Sequence, residues 1–521
     1  MGKAYEHGIR DVWIVNVGDL KFNEVPLNFF MDLAYDFEKW GTSNLNSVSE
    51  YTSLWAKRTF ASVPSNVLDQ IGQALQGYIR LNSKRRPEAL NAGIYHAAHY
   101  LEADRMLEET VKLDELLETI KAALPGHYQD GFYSMVWLPA KASLNLLQMH
   151  LYAAKNHHYA KQGKAVANTY ADLVTEAIAL DRQLFDDFAR FKDGKWKGHE
   201  LEDHIGFTTW NEDGNRYPIR MRVEPVHKPR MVVSRKDSTQ ICHKTYGNPM
   251  TIVVDDFLWA GTEEVILEVA NDGVGSFEFS VEGGADWLLV KQSASIVALQ
   301  EEITLRVDRE KLGTGHQLAT LLIKDGETVV AIEISAKQIE TEGLPSKTFL
   351  ANKGIFAMDA HHFAVSVSAG AAQFLQLPNY GRSETGMKVF PPTSSFEVGE
   401  AVPALAYRML IEDPGAYVAE VWTTPANPVK DRAALRFLLN GQPHTAVPAD
   451  FVSFHSDPRW CEGVLDNIRK TTAVVELGSG IQEIVIGALD AGLVIERIFV
   501  YKDANRPAVS YLGPKESYFT S

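Results

Sequence analysis

The run from Val12 to Val17 constrains the fold more than any other segment of this 521-residue chain. It is short, almost wholly apolar and rich in β-branched residues, which is typical of a strand buried on both faces of a parallel sheet. A helical stretch from about Pro26 to Trp40 follows it. A parallel strand needs neighbours, yet only ten residues precede Asp11. We therefore expect either that another polypeptide completes the sheet or that the segment is used differently.

Polar side chains lie on this run or just after it, at Asn16, Asp19, Lys21 and Glu24. In βα folds the catalytic groups collect at the C-terminal ends of the strands. A carboxylate and an amide at such a place could orient sugar hydroxyls or help to hold an attacking water. The structural alternative is that Asp19 caps the following helix and Asn16 satisfies backbone groups in a turn.

The composition excludes several classes of function. Lys and Arg total 51 against 67 for Asp and Glu, giving a formal charge of −16. An acidic chain without a basic stripe argues against nucleic acid and anionic membrane surfaces as partners. Two cysteines are too few for a disulfide framework or a zinc cluster, and we interpret them as buried thiols. No run approaches the ~20 apolar residues of a membrane helix, and Met1–Arg10 carries no apolar leader segment.

Helical periodicity dominates the chain from residue 43 to residue 204. Val67, Ile71 and Leu75 recur on one helix face, and a second helix from Leu107 to Leu124 ends at Pro125-Gly126. Further helices are predicted from Phe132 to Ala154, kinked at Pro139, and from about Val166 to Gly194. Amphipathic helices joined by short breaks predict a helical bundle domain.

The remaining chain is rich in β patterns. Residues 217–223 alternate as a half-exposed strand would. Short strands at close spacing up to residue 340 predict an immunoglobulin-like β-sandwich within a β-rich segment, residues 205–340. After a linker, residues 346–521 predict a C-terminal jelly-roll-like sandwich. With residues 1–42 as the C-terminal remnant of a (β/α) barrel, the predicted fold class is multidomain α+β.

Other clusters have open interpretations. His96, His99 and Glu102 could present ligands to a metal from one helix face, although such triplets are more often a packed or solvated face. The segment from His199 to His204, with Trp210–Asp213 after it, could line a cleft or simply join domains. The last domain contains Trp422 and Trp460, which either form a sugar-stacking platform or belong to the core.

Several segments resemble one known family, glycoside hydrolase family 115, the xylan α-1,2-glucuronidases. The similarity begins with Asp11-Val-Trp-Ile-Val-Asn-Val-Gly-Asp-Leu-Lys21. It continues in the following segments: Phe132–Lys141, Asn156–Tyr159, Trp196–His199, Gly206–Trp210, Gly381-Arg382, Val464–Asn467 and Tyr511–Ser517. The last of these motifs is the most specific. Phe22 stands where the family pattern has proline, and Ala491 interrupts its usual Asp-Pro-Gly-x-Val.

The resemblance implies a hydrolase that removes glucuronic or 4-O-methylglucuronic acid side groups from glucuronoxylan or xylo-oligosaccharides, with inversion and no cofactor. It implies that Asn16 orients substrate or water and that Lys21 and Glu24 bind substrate. Asp19 is a second candidate for an active-site role, with weaker support than Asn16. The principal catalytic carboxylates are expected on barrel strands upstream of this segment. We therefore expect this chain alone to be inactive or weakly active.

The sequence also leads to expectations about the binding partners, the cellular compartment and the functional class of the protein. A homodimer or a separate N-terminal half would cover the apolar residues near the start of the chain. Family members are expected to be secreted or periplasmic, which leaves the compartment of this chain open. The alternative function is a non-catalytic module that binds carbohydrate or mediates assembly.

Overall fold

The computed structural model describes residues 1–18, 20–199, 203–206, 214–245, 250–383, 385–426, 434–452, 454 and 456–521. Its first part is helical. The helices are α1 (Gly2–Glu6), α2 (Glu24–Tyr35), α3 (Phe37–Trp40), α4 (Ser47–Thr59), α5 (Ser65–Lys84), α6 (Glu102–Ala123), α7 (Gly126–Phe132), α8 (Leu138–Lys161) and α9 (Ala167–Gly194). In the described part of the chain, no helix is long and apolar enough to span a bilayer.

The helical core forms where the apolar periodicity predicts it. Ile71 and Leu75 of α5 are fully buried, and α8 packs against α5, α6 and α9. A wide helical turn, Tyr133–Trp137, joins α7 to α8 immediately before Pro139. Proline has no N–H to donate to the preceding turn, so the predicted irregularity falls here, at the start of α8.

The segment Val12–Val17 is not the buried strand that its composition predicts. It is extended, but no described residue pairs with it as a strand, and the side chains of Val12 and Ile14 are 69% and 80% exposed. Trp13 anchors it instead, packing edge-on against Tyr5 and Phe37. A strand requires hydrogen-bonding neighbours, and the described part of this chain supplies none, so completion of the sheet by another polypeptide stays a prediction.

The predicted strand 217–223 is also absent. We call residues 214–226 the connecting segment; it lies extended across α8 and α9 and joins the helical domain to the first β domain. Asn156 of α8 donates to the Met221 carbonyl (2.8 Å) and accepts from its N–H (2.7 Å). Asn168 of α9 likewise donates to the Val223 carbonyl and accepts from the Val223 N–H, at 2.9 Å for each hydrogen bond. Side-chain amides thus replace the neighbouring strand that a sheet would supply.

The first β domain is a two-sheet sandwich around a single apolar core. Its strands are β1 (Met231–Arg235), β2 (Cys242–His243), β3 (Thr251–Phe257), β4 (Glu264–Asn271), β5 (Phe277–Glu278), β6 (Ser280–Gly283), β7 (Leu288–Gln292), β8 (Ile296–Val297), β9 (Gln300–Val307), β10 (Gln317–Lys324) and β11 (Val329–Ala336). One sheet has the order β2-β1-β4-β9-β7 and the other β3-β11-β10-β6, while β5 and β8 pair in a separate two-stranded sheet. Two packed sheets lie where the strand pattern predicts a β-rich segment, and the immunoglobulin-like topology stays a prediction.

The second β domain is a larger sandwich of two six-stranded sheets. Its elements are β12 (Thr348–Phe349), β13 (Ile355–Asp359), β14 (Val365–Val367), β15 (Gln373–Pro378), β16 (Thr385–Phe390), β17 (Ala404–Ile411), β18 (Gly415–Thr423), β19 (Leu435–Leu439), β20 (Gln442–Val447), α10 (Pro458–Asp466), β21 (Arg469–Leu477), β22 (Gly480–Ala488) and β23 (Val494–Tyr501). Strand β23 is buried along its whole length and pairs with β13, β16 and β18.

A buried ion pair joins the helical domain to the first sandwich. Lys164, just after α8, lies 2.5 Å from Glu268 of β4, and both side chains are at most 1% exposed. The Tyr159 hydroxyl donates to the same carboxylate (2.7 Å). Neither charge contacts water, so each depends on the other for its stability.

The second sandwich docks on the helical domain through Glu102, which is fully buried at the start of α6. Its carboxylate accepts the backbone N–H groups of His96 (2.8 Å), Tyr511 (3.0 Å) and Leu512. The Tyr511 hydroxyl donates to the Lys84 carbonyl (2.6 Å). Residues from the two ends of the chain therefore form one hydrogen-bonded interface.

Candidate functional site

The predicted site residues lie on the loop that leads into α2. Asn16 is exposed on the extended segment before it, and Asp19 lies outside the described residues. Gly18 adopts a φ of +60°, and the Asn23 side chain donates to the Val17 carbonyl at 3.3 Å. The loop therefore turns back on itself and leaves the Asn16 amide at its outer edge.

Lys21 and Glu24 form an ion pair within this loop. The Lys21 side chain is 6% exposed, and its Nζ lies 2.5 Å from Oε1 of Glu24. Of the described residues, none contributes a hydrogen bond to the buried Oε2 of Glu24. Burial and the nearby Glu24 charge raise the pKa of Tyr78, on the facing helix α5. The pair fixes the loop against the helical domain, as an ion pair shielded from water can.

Phe22 explains one departure from the family pattern. Its φ is +71°, a left-handed conformation that proline cannot adopt because its ring fixes φ near −65°. The Phe22 ring packs on Phe188 of α9 at 4.8 Å between centroids. An apolar anchor on the helical domain thus occupies the position where the family pattern has proline.

Two sequence segments that resemble the same family meet at this loop. The Lys21 ammonium lies 5.4 Å from the centroid of the Trp196 ring. Trp196 in turn meets the His199 ring edge-on, at 5.6 Å. We call Lys21, Glu24, Tyr78, Trp196 and His199 the loop cluster. An aromatic ring, an imidazole and an ion pair around one loop are groups of the kind that position polar ligands.

The junction after His199 is partly described. His204 lies 2.9 Å from Asp181 of α9 and stacks on Phe185 at 4.6 Å, so it joins the connection to the helix. Glu200–Glu202 and Trp210–Asp213 lie outside the described residues.

The triplet His96, His99 and Glu102 does not form a metal site. His96 and His99 stack at 3.6 Å on an irregular turn ahead of α6, and not on a helix face. The His96 Nδ1 already accepts the N–H groups of Ala98 (3.1 Å) and His99 (2.8 Å). Glu102 holds the domain interface, so the packed interpretation is the one that the geometry supports.

A different trio offers ligand atoms close together in the second sandwich. Among the described residues, Asp359, His362 and Glu516 place one such atom each within 4.8 Å of the others. The Arg497 guanidinium already donates to Asp359 (2.7 Å), and His362 lies 2.9 Å from Glu516. A cation of the protein itself thus balances these carboxylates, and the trio is explained as a structural network.

Trp422 belongs to the core of the second sandwich. It is 3% exposed and lies under the buried Arg382, whose guanidinium carbon is 4.8 Å from its ring centroid. Trp460 is half-buried on α10. The sugar-platform interpretation therefore fails for Trp422.

Sequence spacing gave no sign of a histidine-lined cavity in the helical domain. His96, His150, His157 and His158 line it together with the connecting segment. These residues come from a loop and a helix far apart in the sequence, and no sequence spacing links His96 to His150.

Comparisons with known proteins agree with the resemblance. The family model "Glycosyl hydrolase family 115" matches residues 1–89, and "Glycosyl hydrolase family 115 C-terminal domain" matches residues 348–516. A search of curated protein sequences finds no significant match.

Among solved structures, the chain is similar to a family GH115 4-O-methyl-α-glucuronidase with specificity for decorated arabinogalactans. The identity is 15% and the TM-score 0.56, over 96% of this chain and 47% of that one. The chain thus spans about half the length of this relative. A family 35 carbohydrate-binding module from Clostridium thermocellum matches at 14% identity and a TM-score of 0.20, over 28% of this chain and 98% of the module.

The two family models match opposite ends of the chain, and the solved relative has the same order of folded parts across almost all of it. This chain belongs to glycosyl hydrolase family 115.

Proposed function

We propose that this chain forms part of an inverting α-glucuronidase that removes glucuronic or 4-O-methylglucuronic acid side groups from glucuronoxylan. Family membership supports a glucuronidase-type glycoside hydrolase. The observation that supports a site here is the loop cluster: Lys21 and Glu24 hold the loop that follows Asn16 in the sequence, and the Asn16 side chain is exposed.

Asn16 is proposed to contact the substrate or the attacking water. Its amide can donate to one oxygen and accept from another, which is what an orienting group needs. Asp19, three residues further along the sequence, is proposed as a second candidate with weaker support for the same role. Lys21 and Glu24 were predicted to bind substrate; because their charges already face each other, we propose that they act chiefly by positioning the loop.

Inversion requires a carboxylic acid on one side of the scissile bond and a carboxylate on the other, separated by about 6.5–9.5 Å to admit a water. In the family these groups are expected on barrel strands that precede the Asn16 segment. The proposed contribution of this chain is therefore orientation of the reacting groups, which is worth several powers of ten in rate when geometry is correct.

The test is release of uronic acid from glucuronoxylan, with decorated arabinogalactan as the second substrate. The chain is assayed alone and mixed with a polypeptide that supplies the N-terminal portion of a family member. We expect weak or no release by the chain alone and release in the mixture. Asn16→Ala should lower that rate by about 100-fold, since it removes one preorganised hydrogen-bonding group.

Asn66→Ala is the matched control, because Asn66 is an exposed asparagine at the start of α5. NMR of the first product identifies the stereochemistry: inversion of an α-linkage releases the β-anomer. Equal rates for the Asn16→Ala and Asn66→Ala variants, or α-anomer first, would contradict the proposal. Affinity for xylan without hydrolysis in any mixture would favour the carbohydrate-binding alternative.

A further inference from the structure

The end of α9 has a backbone conformation that residues with a side chain rarely adopt. The backbone becomes extended at Phe191, where ψ is 133°, and three left-handed residues follow. Their φ angles are +51° at Lys192, +55° at Asp193 and +80° at Gly194. Glycine accepts this conformation freely, whereas in lysine and aspartate the Cβ atom comes too close to the following carbonyl oxygen. The left-handed turn, residues 192–194, is therefore strained.

The left-handed turn determines where Trp196 lies. A continued helix would place residue 196 about 7.5 Å beyond residue 191 along the axis of α9. Instead the Trp196 ring lies beside the loop that leads into α2, with its centroid 5.4 Å from the Lys21 ammonium and 5.0 Å from the Lys195 ammonium. Both distances lie within the ~6 Å over which a cation is attracted to an aromatic face. Trp196 therefore holds Lys21 from the side of the helical domain.

The exposed contacts of the left-handed turn do not account for its strain. Lys192 pairs with Asp130 of α7, but the two side chains are 52% and 55% exposed, and an exposed ion pair contributes little to stability. The Lys21 side chain, in contrast, is 6% exposed, and a cation–aromatic contact strengthens when the cation is shielded from water. Strained backbone persists where surrounding contacts fix it, and it is concentrated at functional sites.

The neighbouring loop residue depends on the same end of α9. The Phe22 ring contacts Phe188 at 4.8 Å, and Phe22 is itself left-handed, with a φ of +71°. Phe191 packs against Tyr133 at 4.9 Å and so fixes the point at which the left-handed turn begins. Left-handed residues thus lie on both sides of the contact between the loop and the helical domain.

Hydrogen bonds within the loop transmit the position of Lys21 towards Asn16. The Lys21 ammonium lies 2.5 Å from the carboxylate of Glu24, at the start of α2. Asn23, between these two residues, donates from its side chain to the Val17 carbonyl at 3.3 Å. Val17 directly follows Asn16 in the sequence. A displacement of Lys21 is therefore expected to displace the Asn16 amide.

We propose that Trp196 is a positioning residue for the proposed hydrolysis and that the left-handed turn brings its ring to Lys21. Trp196 acts through Lys21 and not by contact with the substrate. The inference rests on the proposed function, because the geometry of this loop affects the reaction through Asn16. It adds the end of α9 to the parts of the chain on which the reaction depends.

Hydrogen–deuterium exchange of the intact chain, read by mass spectrometry, tests whether Trp196 orders the loop. Trp196→Leu keeps an apolar side chain but removes the aromatic face. We expect the amides of residues 20–28 to exchange about tenfold faster in this variant, since a shielded cation–aromatic contact is lost. Trp259→Leu is the matched control, because Trp259 is half-buried in the first sandwich, and it should leave this exchange unchanged.

Substitutions at Asp193 test the left-handed turn itself. Asp193→Gly should leave the exchange of residues 20–28 unchanged, because glycine adopts a positive φ without strain. Asp193→Pro should raise it about as much as Trp196→Leu, because the proline ring fixes φ near −65°. Retained helical ellipticity shows that both variants fold. Identical exchange in the two variants would refute the role of the turn.

Kinetics of the reconstituted mixture separate positioning from a purely structural role. In Trp196→Leu the kcat per folded chain should fall about tenfold and KM should change less than about twofold, since poor orientation weakens the transition state more than substrate binding. Trp196→Phe retains an aromatic face and should restore most of the rate. Loss of stability alone would lower the amount of folded chain and leave its kcat unchanged.

Three outcomes would overturn the inference: unchanged exchange of residues 20–28 in Trp196→Leu, an unchanged kcat despite faster exchange, or a Trp196→Phe variant as slow as Trp196→Leu. If the parent mixture releases no uronic acid, the proposed function fails, and the role of Trp196 in hydrolysis fails with it. The exchange experiment requires no hydrolysis, so it shows separately whether Trp196 orders the loop.

Discussion

Acidification should destabilise the helical domain through His150, which lies on α8 and lines the cavity. Its side chain is 5% exposed, and its two ring nitrogens lack hydrogen-bond partners among the described residues. Burial penalises the charged imidazolium and lowers the pKa of His150 from the ordinary 6.5 to about 4. The folded state therefore resists a proton that the unfolded state accepts.

The direction and size of the effect follow from this difference in pKa. Between pH 6.5 and pH 4 the unfolded chain binds more protons at this position, so the free energy of unfolding falls as the pH falls. The full difference corresponds to roughly 3 kcal/mol from this one residue. Above pH 6.5 and below pH 4 the residue contributes no further slope, because both states then have the same protonation.

Urea unfolding, followed by helical ellipticity, measures the effect at a series of pH values from about 4 to about 7.5. His150→Gln replaces the imidazole by a group that does not titrate, so its curve should lose roughly 3 kcal/mol less on acidification than the parent curve. His227→Gln is the control, because His227 is exposed on the connection to β1. Parallel pH curves for the parent and His150→Gln would refute the argument.

Three further predictions concern other contacts. Glu268→Gln should lower the free energy of unfolding in urea by about 3–5 kcal/mol, because it leaves the buried Lys164 ammonium without its counter-charge. Adding Lys164→Met should recover part of this loss, and additive effects of the two substitutions would contradict the coupling. Asn156→Ala should speed tryptic cleavage of the connecting segment about tenfold, since both hydrogen bonds from the Asn156 side chain to Met221 are lost. An unchanged cleavage rate would show that these hydrogen bonds do not restrain the connecting segment. If the exposed side chain of Ile14 lies in a homodimer contact, light scattering should give a dimer for the parent and a monomer for Ile14→Asp; a monomeric parent would exclude the contact.

The sequence predicted those helices and strands whose apolar residues recur at the spacing that places them on one buried face. The apolar runs Leu435–Leu439 and Val494–Tyr501 predict two strands, and β19 and β23 begin and end at these residues. The helix α5 buries Val67, Ile71 and Leu75 as their spacing requires. In these elements the local preference and the tertiary environment agree, so periodicity is sufficient.

Two runs with a β pattern are not paired as strands in the described part of the chain, and the two cases share a physical origin. Residues 12–17 and 217–223 have β-like composition, but an extended segment becomes a strand only if a second strand reaches it, and local sequence does not encode that. The second of these segments is extended as predicted, yet Asn156 and Asn168 supply its partners. The cavity escaped prediction for a similar reason: His96 and His150 are brought together by packing, without any spacing that signals it.

The motif beginning at Tyr511 was the most specific part of the resemblance, and the structure gives it a mechanical role. The backbone N–H groups of Tyr511 and Leu512 donate to the buried Glu102, and the Tyr511 ring packs under Arg382 at 3.6 Å. Tyr95, which is one of the residues that line the cavity, meets the same ring edge-on at 5.3 Å. The second sandwich therefore braces one wall of the cavity through the Tyr511 ring. A sequence signature can consequently identify a family through the contacts that hold its domains together.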